Sequence, residues 1–396
     1  MKITGIEVFS LRFEYAEGKG FRYSGGLCTA RVTTIVLVRT DTEHIGIGSC
    51  YTHPGMAHLV IEHQLAPHLM GRDPRQTEEL WNLMYDLTRW YGRKGAAISA
   101  LGALDVAFWD LKGKSENAPV YQLLGGTKNL CPAYASALLW QDAESAAREA
   151  RTLASKGWKR MKMRMGQGEE KDLANLRAIR KAIGNDVDLM CDAGMRLDIP
   201  TAQRIAKVLE AENVFWFEEP FEPEDLDSYR ALHGTITTRV AAGENEFGIQ
   251  GFRDLISPRA VDIAQPDASR CGGISETHKI AMMASAQNIG IATHTWSDAI
   301  AVVANAHVVA ACKTGITVEV DQTGNPFIEE ILSSPLAIEN GVLALGEKPG
   351  LGIELNFETL KKYRMADPLR VPDGRYSDMT FGAEFLTSAG AYQKNQ

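Results

Sequence analysis

VDLMCDAGMRLDIPTAQRIAKVLEAENVFWFEEP, residues 187–220, carries a whole folding unit. A short apolar run ends in Asp192, a segment of helical spacing follows from Ile199, and a second apolar run ends in Glu218. Strands that alternate with helical segments in this way predict βαβ units and a parallel sheet. Working outward, the same texture recurs from Thr127 onward: AYASALLW (133–140), WKRMKM (158–163), VDLMCD (187–192), VFWFE (214–218), RVAAGE (239–244), VDIAQPD (261–267), GIATH (290–294) and ITVEV (316–320). Eight such strands with crossover helices predict an α/β fold closed into a barrel over residues 127–345.

Upstream, the pattern differs. ITGIEVFSLRF and TTIVLVRTDTEHIGIGSCY read as strands, separated by a glycine-rich segment from Glu17 to Gly26 that is expected to be a mobile loop. From His58 to Leu124 the spacing turns helical, as in KGAAISALGALDVAFWDLKGK, and it stops at Gly125-Gly126. Residues 1–126 are thus expected to form a separate α+β domain. The last stretch, 346–396, fits no further βα unit and is expected to pack back on the N-terminal domain.

Composition narrows the function. With 42 basic against 50 acidic residues the formal charge is −8, which argues against nucleic acid or an anionic membrane as partner. The alternating N-terminus has no secretory pattern, and no stretch is apolar enough to span a bilayer. Six cysteines without a CxxC pair argue against a disulfide or zinc framework, so a reducing cytoplasm is the expected location. GIGSCY lacks the third glycine of a dinucleotide-binding turn and opens no helix, which sets a nicotinamide enzyme aside.

The strand ends carry the chemistry. Lys162 closes the second run with Arg164 two residues on; Asp192, Glu218, Glu244, Asp267 and His294 close the next five, and Glu319 lies near the end of the eighth. In a barrel of this kind the ends converge on one face, where active sites are built. A lone carboxylate there is as readily a helix N-cap. Three from neighbouring strands would repel one another unless a cation sat between them, so Asp192, Glu218 and Glu244 read as a metal triad. All-oxygen ligation suits Mg²⁺ best and Mn²⁺ next. Asp267 and His294 end adjacent strands; a carboxylate that fixes the imidazole tautomer makes a general base, although the same pair is also a common structural motif. Period-two spacing turns Lys162 and Arg164 to one side. Histidines 63, 68, 233, 278 and 307 fall in helical or loop stretches where packing or solvent accounts for them.

These residues, in this order, resemble the enolase superfamily and within it the mandelate racemase subgroup. The similarity covers nearly the whole chain. It includes SALGALDVAFWDLKGKSENAPVYQLLGG, the Lys162 strand, Asp192, Glu218-Glu219-Pro220, AAGEN with Glu244, QPDASRCGGIS with Asp267, THTW with His294, Glu319 and the ending KPGLGIEL. The resemblance implies a capping domain over a modified (β/α)7β barrel of TIM type and Mg²⁺ on Asp192, Glu218 and Glu244. It further implies His294, oriented by Asp267, as acid/base on one substrate face, Glu319 bonded to the substrate carboxylate, and a symmetric homo-oligomer. The subgroup usually has Lys-x-Lys where this chain has Lys162-x-Arg164. A guanidinium is never neutral in a protein and cannot accept a proton, so the departure points away from two-base racemisation and toward one-base dehydration of an acid sugar, a small-molecule carboxylate. Arg164 would instead grip a substrate oxygen or carboxylate. Racemase, epimerase and lactone cycloisomerase are the rivals within this chemistry, and a barrel that binds without turnover is the rival outside it. Phe21, Arg22, Tyr23, Tyr51 and His53 are the candidate residues for closing over the distal end of the substrate.

Overall fold

The computed structural model describes residues 1–24, 26–257, 259–369 and 379–380. Its N-terminal part is an antiparallel sheet of β1 (Ile3–Glu14), β4 (Ala30–Thr40) and β5 (Ile45–Cys50), with β4 in the centre. As the central strand, with one face under helices and the other against the barrel, β4 is buried at every position but Arg39. Helix Ala96–Glu116 lies across the sheet, and the IGIGSC sequence explains how it gets so close. A Cβ on Gly46 would sit 2.5 Å from the Ala107 carbonyl oxygen, and one on Gly48 2.0 Å from that of Ala103. The two glycines of GIGSCY are therefore helix–sheet packing positions.

The segment expected to be a loop contains structure. β2 (Phe21–Tyr23) pairs antiparallel with β3 (Gly26–Cys28), and β16 (Met379–Thr380) adds to the other side of β3. Gly26 opens β3 rather than lying in a loop, and Phe21 and Tyr23 of β2 give the strand pair something to pack.

The barrel strands are β6 (Leu130–Ser136), β7 (Arg160–Arg164), β8 (Asp188–Asp192), β9 (Trp216–Glu218), β10 (Arg239–Ala242), β11 (Ile263–Ala264), β12 (Gly290–Thr293) and β13 (Gly315–Asp321). Each pairs in parallel with the next, and β13 closes on β6 through Val318–Ala133 and its neighbours. One helix follows each of the first seven strands, giving the (β/α)7β pattern. Tyr134, Met190, Trp216, Ala241, Ile263 and Ala292 fill the barrel interior, while the opposite strand faces join the large core under the helices. A short hairpin, β14 (Ile338–Glu339) and β15 (Val342–Ala344), lies antiparallel against β6.

The chain beyond the barrel runs over the N-terminal domain. Gly350 bridges to Pro119, the Leu351 N–H is held by Asp110 at 2.9 Å, and Arg364 bridges to Leu11. The interface between cap and barrel is stitched by buried carboxylates. Asp105 of the cap helix accepts from the Ser275 N–H (2.8 Å) and Oγ (2.6 Å), capping barrel helix Gly273–Ala286 from outside. Asp298, the N-cap of Ala299–Ala311, takes hydroxyls from Thr33 (2.5 Å) and Ser49 (2.9 Å) of the cap sheet. Among the described residues no helix is long and apolar enough to cross a membrane.

Candidate active site

Register brings the ionisable strand ends together. Arg164 pairs with Asp192, and Asp192 with Glu218, across β7, β8 and β9. Lys162 stands two residues before Arg164 and so shares its inward face. Glu244 follows two residues after β10, Asp267 three after β11 and His294 directly after β12, while Glu319 sits within β13 opposite Tyr134. Lys162, Arg164, Asp192, Glu218, Asp267, His294 and Glu319 are all buried.

Cations and carboxylates interleave at close range. Lys162 Nζ donates to Glu218 Oε1 at 2.5 Å and lies 3.0 Å from Glu319 Oε1 and 3.5 Å from Asp192 Oδ2, over the Tyr134 ring at 5.5 Å. Arg164 Nη1 pairs with Asp192 Oδ2, and Nη2 reaches Glu319 Oε1 at 3.6 Å and Ser136 Oγ at 3.4 Å. Burial alone would push Glu319 up, but Lys162, His294 and Arg164 hold it well below the usual carboxylate range. Glu244 is likewise pushed up by burial but ends low because of His294, Lys162 and Arg164.

The dyad is firmly built. His294 Nδ1 lies 2.8 Å from Asp267 Oδ2, and Asp267 Oδ1 accepts from the Ser269 N–H (2.8 Å), Ser269 Oγ (2.7 Å) and Asn305 Nδ2 (2.9 Å). Three donors on Oδ1 fix the carboxylate, and Oδ2 then orients the imidazole through Nδ1, which leaves Nε2 toward the cavity. Nε2 lies 3.7 Å from Glu244 and 3.8 Å from Glu319. Burial opposes its charge, but Glu244, Glu319 and Asp267 together raise the His294 pKa above that of free imidazole.

The triad fits a divalent cation. Asp192, Glu218 and Glu244 each offer an oxygen, all within 4.8 Å of one another. Glu244 Oε2 is a buried oxygen with no hydrogen-bond partner among the described residues, which costs free energy unless something positive fills the gap. The remaining oxygens are oriented: Trp216 Nε1 donates to Glu218 Oε2 at 2.7 Å and the Gly194 N–H to Asp192 Oδ1 at 2.8 Å. Three hard oxygen ligands with supporting donors suit Mg²⁺ or Mn²⁺.

The loop candidates divide. Tyr23 lies 6.0 Å, ring to guanidinium carbon, from Arg164, and both Tyr23 and Phe21 pack against Trp296, at 6.0 and 6.2 Å. The Arg22 carbonyl accepts from the Trp140 N–H at 3.1 Å, and its side chain is exposed. Tyr51 is buried, its N–H bonded to the Ser269 carbonyl beside Asp267. His53 caps helix Pro54–Leu59, its Nδ1 accepting from the Met56 N–H at 3.3 Å.

Several residues of the site were not singled out from the sequence. Asn305 reaches Asp267 from a helix 38 positions on, a relation no local pattern announces. Glu219, with φ 36°, accepts from Asn245 Nδ2 at 2.7 Å, and burial with the nearby Glu244 pushes its pKa up to about 8. Trp296 was in plain view two positions after His294. Arg31, from the cap, stacks on Trp296 and had no signal at all.

A closed eight-stranded barrel under an antiparallel cap, with carboxylates on three successive strands and a His–Asp dyad opposite, defines the class of barrel enzymes that act on carbon acids. The chain belongs to the enolase superfamily. Residues 145–359 match the family described as enolase C-terminal domain-like, and residues 23–125 the mandelate racemase / muconate lactonizing enzyme N-terminal domain. It is 34% identical over 381 residues to the D-galactarolactone cycloisomerase of Agrobacterium fabrum, covering 93% of this chain and 100% of that one. It is 31% identical over 333 residues to the arabinonate dehydratase of Saccharolobus solfataricus, covering 83% and 89%. A racemase from Streptomyces coelicolor A3(2), solved with bound magnesium, superposes with a TM-score of 0.85 at 26% identity, covering 92% of this chain and 100% of that one.

Proposed function

We propose that this protein dehydrates an acid sugar to a 2-keto-3-deoxy acid in a Mg²⁺-dependent reaction with His294 as the single acid/base. The observation that carries this reading is the pair Lys162-x-Arg164. Arg164 is buried, permanently charged and paired with Asp192, while Lys162 donates to Glu218 and is ion-paired with Glu319. The position where the subgroup's pattern has its second lysine therefore holds a group that cannot accept a proton.

Asp192, Glu218 and Glu244 would hold Mg²⁺, which supplies charge stabilisation for the substrate carboxylate as the neighbouring carbon loses its proton. His294 Nε2 takes the C2 proton while Asp267 stabilises the imidazolium. The same nitrogen then gives that proton to the departing 3-hydroxyl, which leaves as water; the resulting enol tautomerises to the ketone. With one base doing both transfers, elimination is syn. Lys162 and Arg164 place positive charge beside the carboxylate, and Glu319, fixed by the Thr295 N–H at 2.9 Å, faces it.

A lactone cycloisomerase is the second reading, favoured by the 34% identical relative with that activity. It too needs one base, with a ring oxygen leaving in place of hydroxyl. The test is a screen of sugar acids and lactones in D₂O with Mg²⁺, following 2-keto acid formation and C2 exchange by NMR, in wild type and His294→Asn. The dehydratase predicts keto acid from an open-chain acid, lost by 10³-fold or so in the variant and abolished by EDTA. Ring opening of a lactone without turnover of any open-chain acid would replace it with the cycloisomerase, and exchange with no elimination would sink both.

A further inference from the structure

Trp296 is clasped between two arginines. Arg31 of β4 lies with its guanidinium carbon 4.4 Å from the indole centroid, and Arg164 lies 5.0 Å from the same ring. Arg31 is 1% exposed, donates from Nη2 to the Trp296 carbonyl at 2.8 Å, and pairs with buried Asp321. Cation–π contact with desolvated guanidinium fixes the plane of the indole. Phe21 and Tyr23 of the hairpin pack on it as well.

At this clasp two donors have no partner among the described residues. Trp296 Nε1 and Arg164 Nε are both buried and lack an acceptor among the described residues. A buried N–H left unpaired is costly, and an oxygen of a ligand bound in the site would supply the missing acceptor. The two donors belong to adjacent, stacked side chains beside His294 and Glu319.

We propose that Trp296 is a specificity-determining substrate contact, its indole N–H and Arg164 Nε together receiving an oxygen of the bound acid, and that Arg31 is the positioning residue that holds the indole plane from the cap. The inference rests on the sugar-acid reading for the identity of the ligand, not for the existence of the donor pair. It makes a polyoxygenated acid the preferred ligand and disfavours an acid whose chain is purely hydrocarbon, because such a chain would leave both donors unpaired.

The test uses the full chain with Mg²⁺ and ¹⁵N-indole labelling, the Trp296 resonance being identified by its loss in Trp296→Phe. The probes are arabinonate, D-xylonate, L-rhamnonate, D-galactarolactone and tartronate. Binding is expected to move the Trp296 N–H resonance. Trp296→Phe, which keeps an aromatic ring but no N–H, should raise KM at least five- to tenfold with kcat changed less than threefold. Arg31→Met should raise KM in the same direction, and the double variant should lose less than the product of the two. A resonance that stays put while an acid binds overturns the inference even where turnover is normal, as does a Trp296→Phe enzyme with wild-type KM. A resonance that moves while no acid is turned over leaves the clasp standing and overturns the dehydratase; no movement with any probe overturns the clasp alone, the dehydratase being judged by keto-acid formation from the same acids.

Discussion

At the scale of single residues, the decisive substitution is Arg164 where the subgroup's pattern has lysine. Lysine restored at this position would put an amine that can lose its proton on the face opposite His294. Arg164→Lys is accordingly expected to acquire C2 exchange into both epimers, with a slower dehydration, visible as a second set of C2 resonances in D₂O. Wild type should give one. Asn305 acts at one remove. Its Nδ2 is one of three donors on Asp267 Oδ1 and its Oδ1 receives the Ala268 N–H at 3.0 Å, so it sets the carboxylate that sets the imidazole. Asn305→Ala should lower kcat roughly ten- to hundredfold with KM little changed, while Mg²⁺ affinity stays within a factor of a few. A parallel collapse of metal affinity would mean that the helix had moved rather than the dyad.

At the scale of elements, the barrel was legible because its strands are short apolar runs that end in charge, and the charge has to face the one polar space a closed barrel possesses. The triad, the dyad and Glu319 could be named for that reason. The strand limits were less clear: β7 runs on to Arg164, and β11 spans only Ile263–Ala264, leaving Asp267 on a loop where Ser269 and Asn305 do the holding. What sequence periodicity cannot show is a contact across elements. Arg31 on a cap strand stacking on Trp296, or Asp105 capping a helix 170 positions away, leaves no trace in local pattern. The hairpin of β2 and β3 was misread because glycine marks loops and hairpins alike. Glycine carries a stronger message in β5. Gly48→Ala would drive a methyl into the Ala103 carbonyl, so a loss of about 2–3 kcal/mol is expected, read as a lower urea midpoint with activity per folded molecule preserved.

At the scale of the molecule, one histidine away from the site contributes to behaviour in acid. His307 is buried, stacked on Tyr121, accepts the Tyr121 N–H at Nδ1 (3.0 Å) and meets the Leu351 carbonyl at Nε2 (3.3 Å). Burial lowers its pKa to about 4. The unfolded chain, titrating near 6.5, then binds more protons than the folded one between those values, so stability falls as pH drops from about 6.5 to about 4 and the effect saturates below. His307→Asn should flatten that part of the stability–pH curve, measured by urea titration at several pH values; an unchanged slope would assign the acid sensitivity to other groups.

His307 also shows what the cap is to the barrel. Asp105, Asp298 and the Leu351 segment place hydrogen bonds across the boundary at buried positions, and each is half made by one domain. A severed barrel would keep Ser275 and Asp298 in its core with no counterpart. The two parts cannot be traded like modules: a fragment that starts at residue 127 should fail to melt cooperatively, and the intact chain should show a single calorimetric transition. Any diversification of substrate choice in this chain has then to proceed by editing both parts in concert.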